Sequence, residues 1–239
     1  MPQDRPVGPV IDGWTPPAPP QAPVLNGRYA RVEPLVAADH AAPLFAAMAG
    51  QDWIWDYIPV GPFASRDAYA AWMEQVAGRP DPHFLAIRNK EVGGAPVQGA
   101  AAFMRITPDH GVIEVGSITF SPALQQTRAA TEAMVLMMDW AFSNGYRRYE
   151  WKCDALNRPS RRAAQRLGFS YEGTFRQHMV IKGRNRDTAW FAVTDAEWPA
   201  LRTAQAAWLD PGNFDAEGRQ RRSLAALTGP VRVGADPTL

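Results

Sequence analysis

Residues 112–120 read as an apolar strand, VIEVGSITF, that runs into a loop broken by Pro122 and then directly into a helix. That helix opens around residues 125–131 and carries Ala130, Met134, Met137, Met138 and Ala141 at spacings of three and four, which marks one apolar face. A strand delivered into a helix mouth leaves the first-turn backbone N–H groups without partners and aimed at one spot, and such a spot binds phosphate. A methionine stripe of this kind belongs to the core rather than to a ligand. Gly145 suits the C-terminal cap.

The segment that follows repeats the alternation of strand and helix. A strand is expected over residues 148–153 (RYEWKC), then a helix over 159–167 with Pro159 in its first turn, then Gly168-Phe169. Upstream, a short strand covers 29–34, and a first helix passes through Leu44, Phe45 and Met48. An aromatic loop, DWIWDYIPVGPF, precedes a second helix over about 65–78 with Ser65 as its N-cap. Strands at 83–88, 97–106 and 112–120 are separated by turns at Gly93-Gly94 and 108–111, an antiparallel meander. A final hairpin turns at Lys182-Gly183-Arg184. Thr194 and Glu197 have capping-box spacing for a helix to about Trp208. The pattern is mixed α/β with antiparallel strands.

The loop Gln125-Gln126-Thr127-Arg128-Ala129-Ala130, taken with Asn157, Ser160, Gly168 and Phe169, resembles the acyl-CoA-binding core of the GNAT N-acyltransferases. The likeness is greatest to the branch that acetylates ribosomal-protein N-termini and to its small-molecule relatives, and it covers roughly residues 25–200. The resemblance implies the GNAT fold: a central, mostly antiparallel twisted sheet flanked by helices and splayed around the cofactor, between the strand ending near Phe120 and the strand ending near Cys153. It implies acetyl-CoA, or another short acyl-CoA, as donor and a primary amine as acceptor, either a protein N-terminus or a small molecule. It also implies direct transfer in a ternary complex.

On that resemblance Gln125, Gln126, Thr127, Arg128, Ala129, Ala130 and Thr131 would hold the diphosphate, and main-chain groups of Ile118, Thr119 and Phe120 would lie beside the thioester. Arg128 stands where the family usually has glycine. The backbone would then approach the pyrophosphate less closely, with the guanidinium pairing with the anion in partial compensation. Asn157 and Ser160 would bond the pantetheine and the thiolate, with Ser160 as the proton donor; both could instead satisfy helix N–H groups. Glu114 is the only acid on its strand, between Ile113 and Val115. A carboxylate partly buried there has a raised pKa and suits a general base, the alternative being an outward residue paired with Arg or Lys. Some relatives carry a glutamate base where this chain has Met179, and His178 beside it is a substitute candidate. Trp53, Trp55 and Tyr57 fall in the variable loop that covers the acceptor in the family, and Asp187 and Trp190 on the last strand are further acceptor contacts. These aromatics could equally form a lid or a dimer contact, so a homodimer stays open.

At 239 residues the chain can bury a substantial core. Its net charge of +1 hides an asymmetry: residues 147–186 hold nine Arg and two Lys against Glu150, Asp154 and Glu172. An anion is the expected partner there, a phosphorylated cofactor in preference to nucleic acid, since the basic residues spread over strand, helix and turn. A non-catalytic CoA-binding module and a nucleic-acid-associated protein remain the alternatives to an enzyme. The single cysteine, Cys153, excludes an internal disulfide framework and reads as a core residue. His40, His83, His110 and His178 lack metal-ligand spacing, so no metal is expected. No apolar run reaches the length of a membrane span, and no signal-peptide core is evident, so a soluble cytoplasmic protein is expected. Residues 1–24, with eight prolines, form an expected extended arm with Trp14 as docking point, 25–208 the catalytic domain, and 209–239 an appendage with a short basic helix over 215–227 and a mobile end.

Overall fold

The computed structural model describes residues 6–21 and 23–239. Its strands are β1 (Leu25–Asn26), β2 (Ala30–Pro34), β3 (His83–Asn89), β4 (Val97–Thr107), β5 (Val112–Phe120), β6 (Arg148–Asp154), β7 (Ser170–Ile181) and β8 (Arg184–Thr194). The helices are α1 (Ala37–Ala47), α2 (Arg66–Val76), α3 (Arg128–Ser143), α4 (Arg158–Leu167), α5 (Trp198–Leu209) and α6 (Leu224–Thr228). All eight strands join one sheet in the order β1-β2-β3-β4-β5-β6-β8-β7. Neighbours run antiparallel except β5 and β6, which pair in parallel from Val112↔Arg148 to Val115↔Trp151. The crossover between those two strands is α3, as a parallel connection requires.

Period-two alternation divides the side chains between two apolar cores. Ala101, Phe103, Ile113, Val115, Tyr149, Trp151 and Phe191 face the buried stripe of α3, where Ala130, Met134, Met137, Met138 and Ala141 pack as core. On the opposite face Ala86, Ala100 and Ala102 meet Leu44, Tyr69 and Met73 of α1 and α2. The face opposite α3 carries charge over the later strands, at Glu114, Arg148, Glu150 and Lys152.

Local signals set the helix ends. Ser65 caps α2 by accepting from the Ala68 N–H at 3.1 Å, and Thr127 caps α3 through Ala130 at 3.0 Å. Glu197 reaches back to the Thr194 N–H at 2.7 Å, but only this half of the expected capping box forms: Glu197 is itself the N-cap of α5, and its own N–H goes to the Thr194 carbonyl rather than to the hydroxyl. Gly168 ends α4 with φ of +103°, and a Cβ there would lie 2.2 Å from Leu201, so backbone conformation and packing both demand glycine. Glu132, buried on α3, accepts from the N–H groups of Arg28, Tyr29 and Ala30 at 2.9, 2.6 and 2.7 Å, which fastens the start of β2 to the helix.

The described arm is held to the domain between Trp14 and Pro20, and the C-terminal tail lies on it as well. In the arm, the first five residues and Ala22 fall outside the described residues; Pro17 and Pro20 are buried, Tyr146 donates to the Ala18 carbonyl, and Trp14 sits beneath the Arg147 guanidinium. The basic helix expected over 215–227 does not form. Phe214 bridges to Gln220 instead, because the Asp215 carboxylate accepts from the Glu217 and Arg219 amides and bends the chain, and α6 begins only at Leu224. The end expected to be mobile is held: Arg161 donates to Asp236 at 2.7 Å, Val233 to Ser170 at 2.9 Å and Tyr171 to the Gly234 carbonyl at 3.2 Å.

Candidate active site

Beyond Val115 and Trp151 the parallel pair β5/β6 separates, and each strand continues without the other, to Phe120 and to Asp154. The opening is widened from the other side by a bulge. Gly116 pairs with Ala102 and Thr119 with Ala100, so Ser117 and Ile118 together oppose Ala101, and Ser117 takes φ of +49°. The resulting cleft, about 120 Å³, has Glu114, Gly116, Ser117 and Ile118 on one wall and Lys152, Cys153, Asn157 and Ser160 on the other. Tyr57, Ile58 and Pro59 close one side of it, and Met179 and Arg186 come from β7 and β8.

At the far end of β5 the chain turns through Ser121 into α3. Gln125 folds back to donate to the Phe120 carbonyl at 2.9 Å, Gln126 takes φ of +61°, and Thr127 caps the helix. The backbone N–H groups of Gln126, Arg128 and Ala129 have no partner among the described residues. This is the phosphate-binding arrangement of a helix mouth, restricted to three amides. The N–H of Ala130 belongs to the Thr127 cap, and that of Thr131 to the Thr127 carbonyl; the Thr131 side chain is buried against Arg166. Arg128 corrects the expectation for its guanidinium. It pairs with Glu91 and lies 4.7 Å from the ring centres of both Tyr29 and Phe214, so it is directed at a carboxylate and two aromatic faces rather than at an anion over the helix. Thr119 is buried, whereas Ile118 and Phe120 are partly buried.

The three candidate acid–base residues are placed differently. Glu114, 2% exposed, receives two contacts from Arg105 Nη1 at 2.8 and 2.9 Å and one from Lys152 Nζ at 2.9 Å. Burial pushes its carboxyl above the ordinary range, against the pull of the Lys152 and Arg105 charges. The two sequence alternatives are thus combined: the residue is paired with cations, and it is also buried at the cleft wall. Ser160 lines the cleft and accepts from the Trp151 indole N–H at 3.0 Å, which leaves the hydroxyl proton free to donate elsewhere. Asn157 caps α4 by accepting the Ser160 N–H at 3.1 Å, so its carbonyl oxygen has a structural role and its amide nitrogen stays available at the cleft. His178 is exposed and absent from the cleft wall. Its Nδ1 lies 2.9 Å from Thr188 Oγ1, and its ring meets Phe175 and Trp190. Burial pushes the Cys153 thiol up to about 11, with the Ser160 hydroxyl pulling the other way, which argues against a thiolate nucleophile.

The expected acceptor contacts also separate. Tyr57 reaches across to the Leu156 carbonyl at 3.4 Å and lines the cleft. Trp55 is 6% exposed and packs edge-on against Phe63 and Tyr69 in the α1/α2 core, while its carbonyl accepts from Lys182 at the hairpin tip. Trp53 is half exposed and donates to Gln51, away from the cleft wall. Asp187 accepts from the Gln177 N–H at 2.7 Å and from Asn185 at 3.0 Å; it braces the hairpin, and those bonds hold its carboxyl below the ordinary range. Trp190 covers Lys152, whose Nζ lies 3.9 Å from the ring centre.

Sequence reasoning missed Lys152, Arg105 and Arg186. Lys152 is buried between Glu114 and Glu150, 2.8 Å from the latter. The alternation Arg148-x-Glu150-x-Lys152 was a visible signal that β6 presents a charged face. The positive excess of residues 147–186 is partly neutralised within the fold, as Arg148 pairs with Glu150 and Glu172 and Arg161 with Asp236. Among the described residues no group of His, Cys, Asp and Glu could hold a metal ion, and no helix is long and apolar enough to cross a membrane.

Comparison with known proteins agrees with this geometry. The family model described as an acetyltransferase (GNAT) domain matches residues 31–170. The structure of a GCN5-related N-acetyltransferase from Brucella melitensis is 46% identical with a TM-score of 0.88, over 92% of this chain and 100% of that one. A probable acetyltransferase of the GNAT family from Chromobacterium violaceum is 40% identical with a TM-score of 0.76, over 84% and 100%. The microcin C7 self-immunity acetyltransferase, solved with acetyl-CoA and AMP, shares the fold at 17% identity and a TM-score of 0.61, over 70% and 93%. No curated protein sequence matches the chain. A sheet parted between its two parallel strands, a helix mouth beyond the gap and these matches place the chain in the GNAT acetyltransferase family.

Proposed function

We propose that this chain transfers the acetyl group of acetyl-CoA to a primary amine by direct attack within a ternary complex. The observation that carries the reading is the gap between β5 and β6, with Glu114 on one wall and Ser160 on the other. The residues present fit the donor. The amides of Gln126, Arg128 and Ala129 suit a diphosphate, the uncharged stretch Gly116 to Ile118 of β5 suits its pantetheine arm, and Asn157 has an amide nitrogen available to it. Acetyl-CoA supplies an activated thioester; the chain supplies position, polarisation and two proton transfers.

Positioning contributes most, because holding both reactants in one cleft removes the entropy cost of their encounter. The bulge at Ser117 and Ile118 breaks the β4/β5 ladder next to the cleft, where a freed main-chain N–H can polarise a carbonyl. Glu114 takes the proton from the acceptor's ammonium, a role suited to a carboxyl raised by burial. As the tetrahedral intermediate collapses, Ser160 gives its hydroxyl proton to the departing sulfur and takes in exchange the second proton of the attacking nitrogen, and the Trp151 indole fixes the direction of its hydroxyl. His178, exposed and tied to Thr188, is left out of this scheme. The test is mass spectrometry of an amine and peptide library incubated with acetyl-CoA. Acetylated products from the wild type that fade in Glu114→Gln and Ser160→Ala support the reading, and acetyl-CoA binding with no product from any amine sinks it.

A further inference from the structure

The cleft is lined by three cations, Arg105, Lys152 and Arg186, and two carboxylates, Glu114 and Asp154. Two of the cations are already matched, since Arg105 and Lys152 both contact Glu114 and Lys152 also contacts Glu150. Asp154 accepts from the Leu156 N–H at 2.8 Å, and Asp187, next in sequence to Arg186, accepts from Gln177 and Asn185. Arg186 is left over. It is half-buried, it forms no ion pair among the described residues, and its Nε is shut away from solvent without a hydrogen-bond partner.

A guanidinium keeps its charge, and one whose Nε is cut off from water with no partner is left under-satisfied unless a ligand supplies an acceptor of opposite charge. The donor's phosphates do not serve that purpose, because none of the helix-mouth residues 121–131 lines this cleft. The pantetheine arm expected in this cleft is neutral, so an anion that reaches Arg186 would come from the acceptor. Glu114, in the same cleft, is the group that would meet the acceptor's ammonium.

We propose that Arg186 selects acceptors that carry an anionic group, a carboxylate or a phosphonate-like oxyanion, close to the amine. The inference rests on the acetyl-transfer reading and narrows its acceptor class: the amine end faces Glu114, and the anionic end takes the fork of the guanidinium, whose donors match a two-oxygen anion. Tyr57 and Pro59 from the loop and Met179 from β7 would enclose the link between the two ends. No bond is made or broken at Arg186; it is a positioning residue.

The experiment measures kcat and KM with acetyl-CoA for matched acceptors: each α-amino acid against its amide, and 2-aminoethylphosphonate against ethylamine. Binding of the same compounds is followed in parallel by calorimetry without acetyl-CoA. The expected result is kcat/KM at least tenfold higher for the anionic member of a pair, carried by KM. In Arg186→Gln the ratio should collapse towards one, and Arg186→Lys should restore part of it; the phosphonate pair shows whether the site prefers two oxygens or three. Amide and acid acetylated equally by the wild type, or both weakened equally by Arg186→Gln, would overturn the inference while leaving acetyl transfer intact. Anion-dependent binding with no acetylated product would do the reverse: it sustains the Arg186 site and defeats the reaction. If calorimetry shows neither preference nor binding for any anionic amine, the site is refuted.

Discussion

Two buried glutamates stand on either side of the sheet, and their surroundings separate architecture from chemistry. Glu132 is held by three backbone amides of residues 28–30, groups that cannot move without unravelling the start of β2. Glu114 is held by two side chains, Arg105 and Lys152, at the wall of a cleft. A carboxylate bound by main chain is a rivet, since changing its state disturbs the fold. One bound by side chains beside open space, the exposed Arg105 among them, can exchange a proton and settle again. Burial is similar in the two cases, so burial by itself does not single out a carboxylate that takes part in proton transfer.

The sharpest way to break this distinction is Glu114→Gln. Loss of the general base proposed at Glu114 should lower kcat/KM by roughly 10²–10⁴-fold. The fold should tolerate the change, because Lys152 keeps Glu150 and Arg105 is well exposed. Steady-state kinetics beside a urea melt check both halves. A variant that transfers acetyl at the wild-type rate would return Glu114 to the structural class. Glu132→Ala should do the opposite. Three amides lose their acceptor in a buried setting, so unfolding free energy should fall by about 3 kcal/mol or more, with kcat nearly unchanged in the folded fraction.

How far such roles could be read from sequence depended on the distance between the partners. The Ser65 cap and the methionine face of α3 lie within one or two turns, where spacing alone fixes contact. The helix mouth followed from the same local logic. The neighbours of Glu114 did not. Lys152 reaches it only because β5 and β6 align Glu114 with Glu150, and Arg105 reaches it through the irregular pairing of β4 with β5. Trp55 was an equally poor guide, since nothing in DWIWDYIP says which ring turns inward; the structure gives the core Trp55 and the cleft Tyr57. Arg161 and Asp236, 75 residues apart, show why the tail read as loose: its anchor was another element's buried cation.

Lys152→Met sharpens the comparison from the partner's side. Removing that ammonium takes away a charge that pulls the Glu114 carboxyl down, so the acidic limb of the kcat/KM profile should move to higher pH. On that limb the rate should fall by on the order of tenfold, with recovery at alkaline pH. A uniform loss at every pH would mean that Lys152 only supports the strand.

The smallest expected effect is on stability against pH, and its sign follows from the raised carboxyl of Glu114. Below the ordinary value of 4.5 the group is protonated whether the chain is folded or not, and its contribution is fully present. As pH rises from there towards the raised folded value, the unfolded chain releases a proton that the folded chain keeps, so stability declines, by at most about 1.4 kcal/mol per pH unit for one group. His40 and His83 act in the opposite sense nearby. Burial lowers both below 6.5, so their contribution is lost as pH falls through that region. The decline from Glu114 is therefore partly masked in the wild type alone. Subtracting the Glu114→Gln curve, measured by urea unfolding in the same buffers, removes the histidine contribution, which the two proteins share. The difference should fall with rising pH above 4.5 and then level off, and a difference that rises would mean that Arg105 and Lys152 outweigh burial.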